Sequence, residues 1–214
     1  MKIVLGLIIG YVCGSIPFSW IAVRLTKGVD IREYGSGTVS ATMVGILVSK
    51  PLAVLVGCLD ILKVIIPVYL IRRLAPDYGF ACAAGIGALL GHNWSVWLSF
   101  HGGRGVSTIL GSLAVLFPVG AIYLLFALGL GKVVKAGAIT VILALSTMPL
   151  LVLLLKKPFP LVLFTLLVFL LCLIKRIEAN REPLPQRNKK TVILRRILLD
   201  RDIQDYHYWL HRQR

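Results

Sequence analysis

Apolar residues along this chain come in long blocks, roughly 3–25, 51–72, 79–98, 105–131, 136–155 and 158–174, separated by short polar stretches. Most of these blocks approach the ~20 residues that an α-helix needs to cross a bilayer. They predict an all-α, polytopic integral membrane protein. The fourth block is too long for one ordinary span, and Pro118-Val119-Gly120 interrupts it. Proline and glycine break or kink helices, so the block reads as one kinked helix or as two short ones, 105–117 and 119–131. The first block is expected to remain a membrane helix, because Lys2 is one charge rather than a basic leader and no small-x-small cleavage site follows it. GxxxG spacings at Gly10/Gly14 and Gly87/Gly91 predict close helix packing.

Basic residues sort the helices across the membrane. With seven spans and the N-terminus outside, 18 Lys and Arg fall on one side: Arg24, Lys27, Arg32, Lys50, Arg104, Lys132, Lys135 and the 11 from Lys175 to Arg214. Lys2, Arg72, Arg73, Lys156 and Lys157 fall on the other, and Lys63 lies inside a span. Six spans divide the same charges 16 to 7 at best. The positive-inside rule therefore favours about seven transmembrane helices, N-terminus out and C-terminus cytoplasmic, with the polar loops gathered on the cytoplasmic side.

Composition sharpens this picture. Hydrophobic residues make up 57% of the 214, charged residues 15%, and the mean hydropathy is +0.86; a soluble domain would carry about a quarter charged residues. The net charge of +15 is concentrated at the end, which divides the chain into a transmembrane part, 1–175, and a basic cytoplasmic tail, 176–214. Beyond Pro183 and Pro185, Ile193/Ile197 and Tyr206/Leu210 have helical spacing with Arg and Asp between them. A basic amphipathic helix lying in the headgroup layer fits this pattern, with Trp209 as an interfacial anchor and anionic lipid as its partner; a partly disordered basic tail is the alternative. Nucleic acid is not the reading for charge placed beside a membrane. Cys13, Cys58, Cys82 and Cys172 sit in apolar segments without CxxC or Cys/His spacing, so they read as small core hydrophobes, with no disulfide frame or metal site.

Three polar constellations carry the candidate chemistry. The first is DIREYGSGTVSATM, 30–43, in which Gly35, Ser36 and Gly37 precede the hydroxyls of Thr38, Ser40 and Thr42. Backbone N–H groups in such a turn can form a nest for an anion, although a plain Gly/Ser loop is the simpler reading of this stretch alone. The second is GHNWSVWLSFHGGRGVST, 91–108. Gly102, Gly103 and Gly105 permit close backbone approach to a ligand, and Arg104 supplies a forked cation suited to phosphate oxygens. Val106, Ser107 and Thr108 open the next apolar helix, whose free N–H groups and dipole favour an anion. Together these form a phosphate-site hypothesis, while Trp94 and Trp97 read as interface-belt residues. The third is Asp60-x-x-Lys63 inside an apolar span, two ionisable groups that share a helix face, either functional or a structural ion pair. Trp97 stands where a His-x4-Asp dyad beginning at His92 would need its Asp, so that acyltransferase signature is absent.

With these residues in view the chain resembles the PlsY family, bacterial membrane acyltransferases that use acyl phosphate to acylate glycerol 3-phosphate. The likeness runs over most of 5–180 and rests on GSIPFSWIAVRL (14–25), DIREYGSG (30–37), LDILK (59–63) and GHNWSVWLSFHGGRGVST (91–108). It implies a seven-helix enzyme of the bacterial inner membrane with its site on the cytoplasmic face. There the 1-hydroxyl of glycerol 3-phosphate attacks the acyl phosphate carbonyl, giving lysophosphatidic acid and inorganic phosphate for phospholipid biosynthesis. No CoA, carrier protein, metal or other cofactor is implied. By matching position, Ser36 and Arg104 are the catalytic residues; Gly35, Gly37, Thr42 and Gly102 through Thr108 hold substrate phosphate. Asp60, Lys63, His92 and Glu178 support them.

The chain also departs from the family pattern. Thr38 and Met43 stand at positions where the family has Asn, Ile46 where it has Arg, Arg176 where it has His and Ala179 where it has Asn. Lys175, Arg176 or Arg181 are candidates to replace the missing groups. The alternative reading is a catalytically impaired paralogue that binds phosphorylated ligands or regulates a true acyltransferase.

Overall fold

The computed structural model describes residues 1–75, 77–178 and 183–211, apart from the side chains of Tyr206, Leu210 and His211. It is built of helices: α1 (Lys2–Ser15), α2 (Phe18–Lys27), α3 (Ala41–Leu47), α4 (Lys50–Leu74), α5 (Tyr78–Asn93), α6 (Val106–Leu116), α7 (Pro118–Val133), α8 (Gly137–Leu154), α9 (Phe159–Glu178), α10 (Lys189–Leu199) and α11 (Tyr206–His211). Short 3-10 turns at Ile31–Glu33 and Val96–Leu98 lie in the two main polar loops. Among the described residues, four segments are long and apolar enough to cross a membrane: Lys2–Lys27, Lys50–Leu74, Gly137–Leu154 and Phe159–Glu178. Large side chains such as Val12, Val54, Ile66, Ile122, Phe126, Leu143 and Leu154 stand exposed along the outside of the helices. A surface of that kind suits lipid as solvent, since soluble monomers rarely expose large contiguous apolar patches.

Local sequence explains where the helices begin and end. The Ser40 and Ser49 hydroxyls accept from the Met43 and Leu52 backbone N–H groups at the starts of α3 and α4, and the Asp77 carboxylate accepts from Gly79 and Phe80 at the start of α5. The first apolar block is not one continuous helix. Ile16 adopts an extended conformation before Pro17, whose missing N–H cannot continue the ladder, and the chain restarts as α2. The fourth block is divided as well: Phe117, at φ −153 and ψ 75, ends α6, and Pro118 occupies the first position of α7.

Helix α5 lies at the centre and packs against α1, α4, α6 and α9. Its Ala81, Ala84, Gly87, Ala88 and Gly91 are buried, and small residues let membrane helices approach closely. A Cβ at Gly10 or Gly14 of α1 would run into the carbonyls of Ala84 or Ala88, and one at Gly87 or Gly91 into those of Leu7 or Tyr11. The GxxxG expectation is met by α1 and α5 packing backbone to backbone. A second, smaller apolar cluster of Val23, Ile31, Val39, Met43, Val44, Val56 and Leu98 lies under the first polar loop and fixes its position.

Candidate active site

The first polar loop is held by its own side chains. Asp30 caps the 3-10 turn by accepting from the Arg32 backbone N–H and pairs with the Arg32 guanidinium at 2.6 Å, while Arg32 Nη1 donates to the Leu98 carbonyl at 3.0 Å. Partial burial works to raise the Asp30 pKa, but hydrogen bonds from the Arg32 side chain and backbone outweigh it and hold the carboxyl at about 2. Beyond this anchor Gly35 and Gly37 adopt left-handed φ values of 53° and 65°, which reverse the chain. The reversal places the Ser36 and Thr38 hydroxyls 2.6 Å apart, with Ser40 Oγ at 3.4 Å from Thr38. Ser36 and Thr38 are buried, at 5% and 4% exposure.

The second loop folds back on the end of α5. Gly102 and Gly103 donate to the carbonyls of Asn93 and His92 at 3.1 Å, and the Val39 N–H reaches the Gly102 carbonyl at 3.5 Å, joining the two loops. There is no room for side chains here. A Cβ at Gly102 would strike the His92 carbonyl, and one at Gly103 the His92 ring. Gly105, at φ 77°, then turns the chain into α6, whose first turn has no side-chain cap. Its leading N–H groups therefore remain available to an anion. Arg104 donates from Nη1 to the Lys175 carbonyl at 2.8 Å, and its buried Nε has no hydrogen-bond partner among the described residues.

Asp60 and Lys63 form an ion pair of 2.7 Å, both side chains 3% exposed. Lys63 also donates to the Ile16 carbonyl at 2.7 Å and lies 3.3 Å from His92 Nδ1. The pair thus ties α4 to the break after α1 and to the end of α5. Trp94 Nε1 donates to Glu178 at 2.7 Å, and the Lys175 ammonium lies 5.0 Å over the Trp94 ring. Trp94 is therefore engaged with the end of α9 rather than serving in an interface belt, whereas Trp97 is 67% exposed.

These elements surround a cavity of about 410 Å3. Of the residues singled out from sequence, Ser36, Thr38, Ser40, Thr42, Met43, Asp60, His92, Arg104, Gly105, Val106 and Ser107 line it. Gly35, Gly37, Gly102, Gly103, Thr108, Lys63 and Glu178 do not; they shape the loops or the buried network behind the wall, and Thr108 is fully buried. Ile46 is absent from the lining and packs against the small apolar cluster. Among the proposed replacements, Lys175 is fully buried and pairs with Glu178 at 3.5 Å. Arg176 does line the cavity, but it donates to the carbonyls of Ile197 and Ala138 at 2.7 and 2.8 Å. Ala179 and Arg181 lie outside the described residues.

The sequence reading missed the cavity's other walls: Leu128, Gly137, Ala138 and Val141 from α7 and α8, and Leu199, Asp200 and Trp209 from the tail. Trp209 is 8% exposed and faces the cavity, which corrects its assignment as an interfacial anchor. Tertiary docking puts it there, and no local signal announces that. Polar groups from the two loops thus share one chamber with an apolar wall, an arrangement suited to a ligand with an anionic head and a hydrocarbon portion.

The fold and this chamber define a helical membrane protein with a pocket lined by two polar loops on one side and apolar helices on the other. A family model for glycerol-3-phosphate acyltransferase matches residues 4–184. The glycerol-3-phosphate acyltransferase of Halalkalibacterium halodurans is 46% identical over 119 residues, 54% of this chain and 58% of that protein; that of Anaeromyxobacter dehalogenans is 42% identical over 139 residues, 61% and 69% respectively. The match thus spans somewhat under two thirds of the first relative's length. A crystal structure of PlsY (YgiH), an integral membrane glycerol 3-phosphate acyltransferase in its glycerol 3-phosphate form, aligns with a TM-score of 0.77 at 27% identity over 96% of both chains. The lysophosphatidic acid form of the same protein gives 0.76 at 26% identity over 98% of this chain and 99% of that one. This chain belongs to the glycerol-3-phosphate acyltransferase family.

Proposed function

We propose that the chain is a membrane glycerol-3-phosphate acyltransferase that moves a fatty acyl group from acyl phosphate to the 1-hydroxyl of glycerol 3-phosphate. The carrying observation is the convergence of Arg104, whose buried Nε has no partner among the described residues, the uncapped start of α6 and the Ser36/Thr38 hydroxyls on one cavity. The hydroxyl oxygen bonds to the carbonyl carbon, the bond from that carbon to the phosphate oxygen breaks, and the hydroxyl proton passes to the departing phosphate, so that lysophosphatidic acid and inorganic phosphate result. Acyl phosphate already carries a good leaving group. The protein therefore has to hold two anions in line and stabilise charge developing on the carbonyl oxygen. Arg104 and the α6 N-terminus supply that field, and Ser36 donates to the bound substrate. The apolar wall of Leu128 and Val141 takes the start of the acyl chain.

In this reading about seven helices cross the bacterial inner membrane, N-terminus out, with the cavity on the cytoplasmic face. The basic tail, 176–214, meets anionic headgroups; α10 turns Lys189, Lys190, Leu194 and Leu198 outward. Assay of the purified protein in detergent with acyl phosphate and glycerol 3-phosphate, following phosphate release and lysophosphatidate formation, tests the proposal. Absence of turnover would refute it.

A second reading, a paralogue that binds phosphorylated ligands without efficient turnover, is favoured by two placements. Ile46, at the family's Arg position, packs in an apolar cluster, and Arg176, at its His position, is committed to backbone carbonyls. Retained glycerol 3-phosphate binding without lysophosphatidate formation is its signature.

A further inference from the structure

The family match ends at residue 184, yet three of the residues lining the cavity come from beyond it: Leu199, Asp200 and Trp209. The tail is fastened there by two reciprocal contacts. Arg176 Nη1 of α9 donates to the Ile197 carbonyl of α10 at 2.7 Å, and Arg196 Nη1 of α10 donates to the Ile177 carbonyl of α9 at 3.0 Å. Arg176 and Arg196 are 4% and 2% exposed, and Arg196 also pairs with Asp202 at 2.5 Å. Helix α10 is thereby held with its C-terminal end over the chamber.

That end is Asp200, the C-cap residue, at a left-handed φ of 56°. Its carboxylate Oδ1 lies 3.3 Å from Arg104 Nη1, with the two side chains 24% and 15% exposed. A guanidinium donates to carboxylate and phosphate oxygens alike, and here the two charges meet as an ion pair without a hydrogen bond to Asp200 Oδ1. A carboxylate already on Arg104 also repels a second anion brought to the same chamber. We propose that Asp200 is an internal stand-in for substrate phosphate on Arg104, so that the tail is an autoinhibitory lid and phosphate binding requires its carboxylate to leave. The inference rests on the reading of Arg104 as the phosphate-binding cation. It adds that the chain carries its own competitor, in a segment outside the family match.

The test uses the full chain in detergent and compares wild type with Asp200→Asn and Arg104→Gln by calorimetric titration with glycerol 3-phosphate and, separately, inorganic phosphate. Asparagine tolerates the left-handed cap position, so Asp200→Asn removes the charge while keeping the turn. A competitor lowers apparent affinity by the fraction of molecules it occupies. For a partly exposed pair, its removal should therefore tighten both ligands roughly three- to fivefold. Arg104→Gln should weaken both at least tenfold. If Arg104→Gln leaves binding unchanged, the phosphate assignment fails and the lid falls with it. If Arg104→Gln weakens binding but Asp200→Asn leaves it unchanged or weakens it too, Asp200 positions the arginine or is irrelevant to it, and the lid alone is refuted. Backbone amide exchange gives a second readout on the wild type: saturating phosphate should speed exchange at residues 197–202, and unchanged protection with phosphate bound would also overturn the lid.

Discussion

Ser36 and Thr38 are buried hydroxyls that bond each other at 2.6 Å beside the cavity, so either can turn to a substrate oxygen at small conformational cost. Ser36→Ala is expected to lower kcat/KM by roughly ten- to a hundredfold, the value of one charge-assisted hydrogen bond, with a small fall in melting temperature because the buried Thr38 N–H loses its acceptor; steady-state kinetics and a thermal melt check both. Ile46 lies one turn beyond Thr42 on α3, with Thr42 on the cavity and Ile46 in the apolar cluster. A longer, charged side chain there can reach toward Thr42. Ile46→Arg should therefore tighten glycerol 3-phosphate binding by about tenfold, measured by titration. Asp30 has a pKa depressed from 3.8 to about 2, so its stabilising effect on the loop is complete above pH 3.8 and is lost as pH falls through about 2. Asp30→Asn should remove that contribution at neutral pH, and because the pair is partly exposed, with Asp30 at 20% and Arg32 at 32%, solvent screening should keep the loss on the order of 1 kcal/mol. Melting curves at pH 7 and pH 5 should show the same small gap between variant and wild type.

The contact between α1 and α5 is the tightest helix pairing in the fold and depends on missing side chains. Gly14→Ala would drive a Cβ into the Ala88 carbonyl, a backbone atom that cannot rotate aside, and should cost about 1–3 kcal/mol by overpacking. Gly129→Ala in α7, where a Cβ meets nothing within 4 Å, should be neutral or stabilising by about 0.5–1 kcal/mol. Thermal denaturation of the two variants distinguishes a packing glycine from an incidental one. Close packing at the two GxxxG segments was readable because that is a local spacing with one common physical use, but which helices they join was not. An interruption at Pro118 was readable on the same local grounds, though not whether it kinks or divides the block, and the glycine-rich loop because Gly, Arg and hydroxyl residues are crowded into 102–108. The division at Ile16–Pro17 was hidden by uninterrupted hydropathy on both sides of the proline. The roles of Trp94, Arg176 and Trp209 depend on which helix ends meet in space. Nothing near Asp200 in the sequence indicates that its charge will rest on Arg104, since that contact follows from the docking of α10 on α9 through Arg176 and Arg196.

Across the whole molecule the basic residues and the cavity favour one orientation. Ser36, Arg104 and Asp200 line a single chamber, so the first polar loop, the second polar loop and the tail must open to the same side of the bilayer. Those segments also carry most of the Lys and Arg, and basic loops are retained in the cytoplasm. Helix α8 has 18 residues, a length of about 27 Å at 1.5 Å per residue, comparable to the ~30 Å hydrocarbon core. Its two flanks, Lys132/Lys135 and Lys156/Lys157, should therefore lie at opposite faces, with the first pair on the side of the cavity. In a variant lacking Cys13, Cys58, Cys82 and Cys172, a cysteine at position 132 should be shielded from a membrane-impermeant maleimide in intact cells and labelled in inverted vesicles. One at position 157 should show the reverse. Labelling of both from the same side would break the link between α8 and a full crossing and would remove the basis for a cytoplasmic chamber.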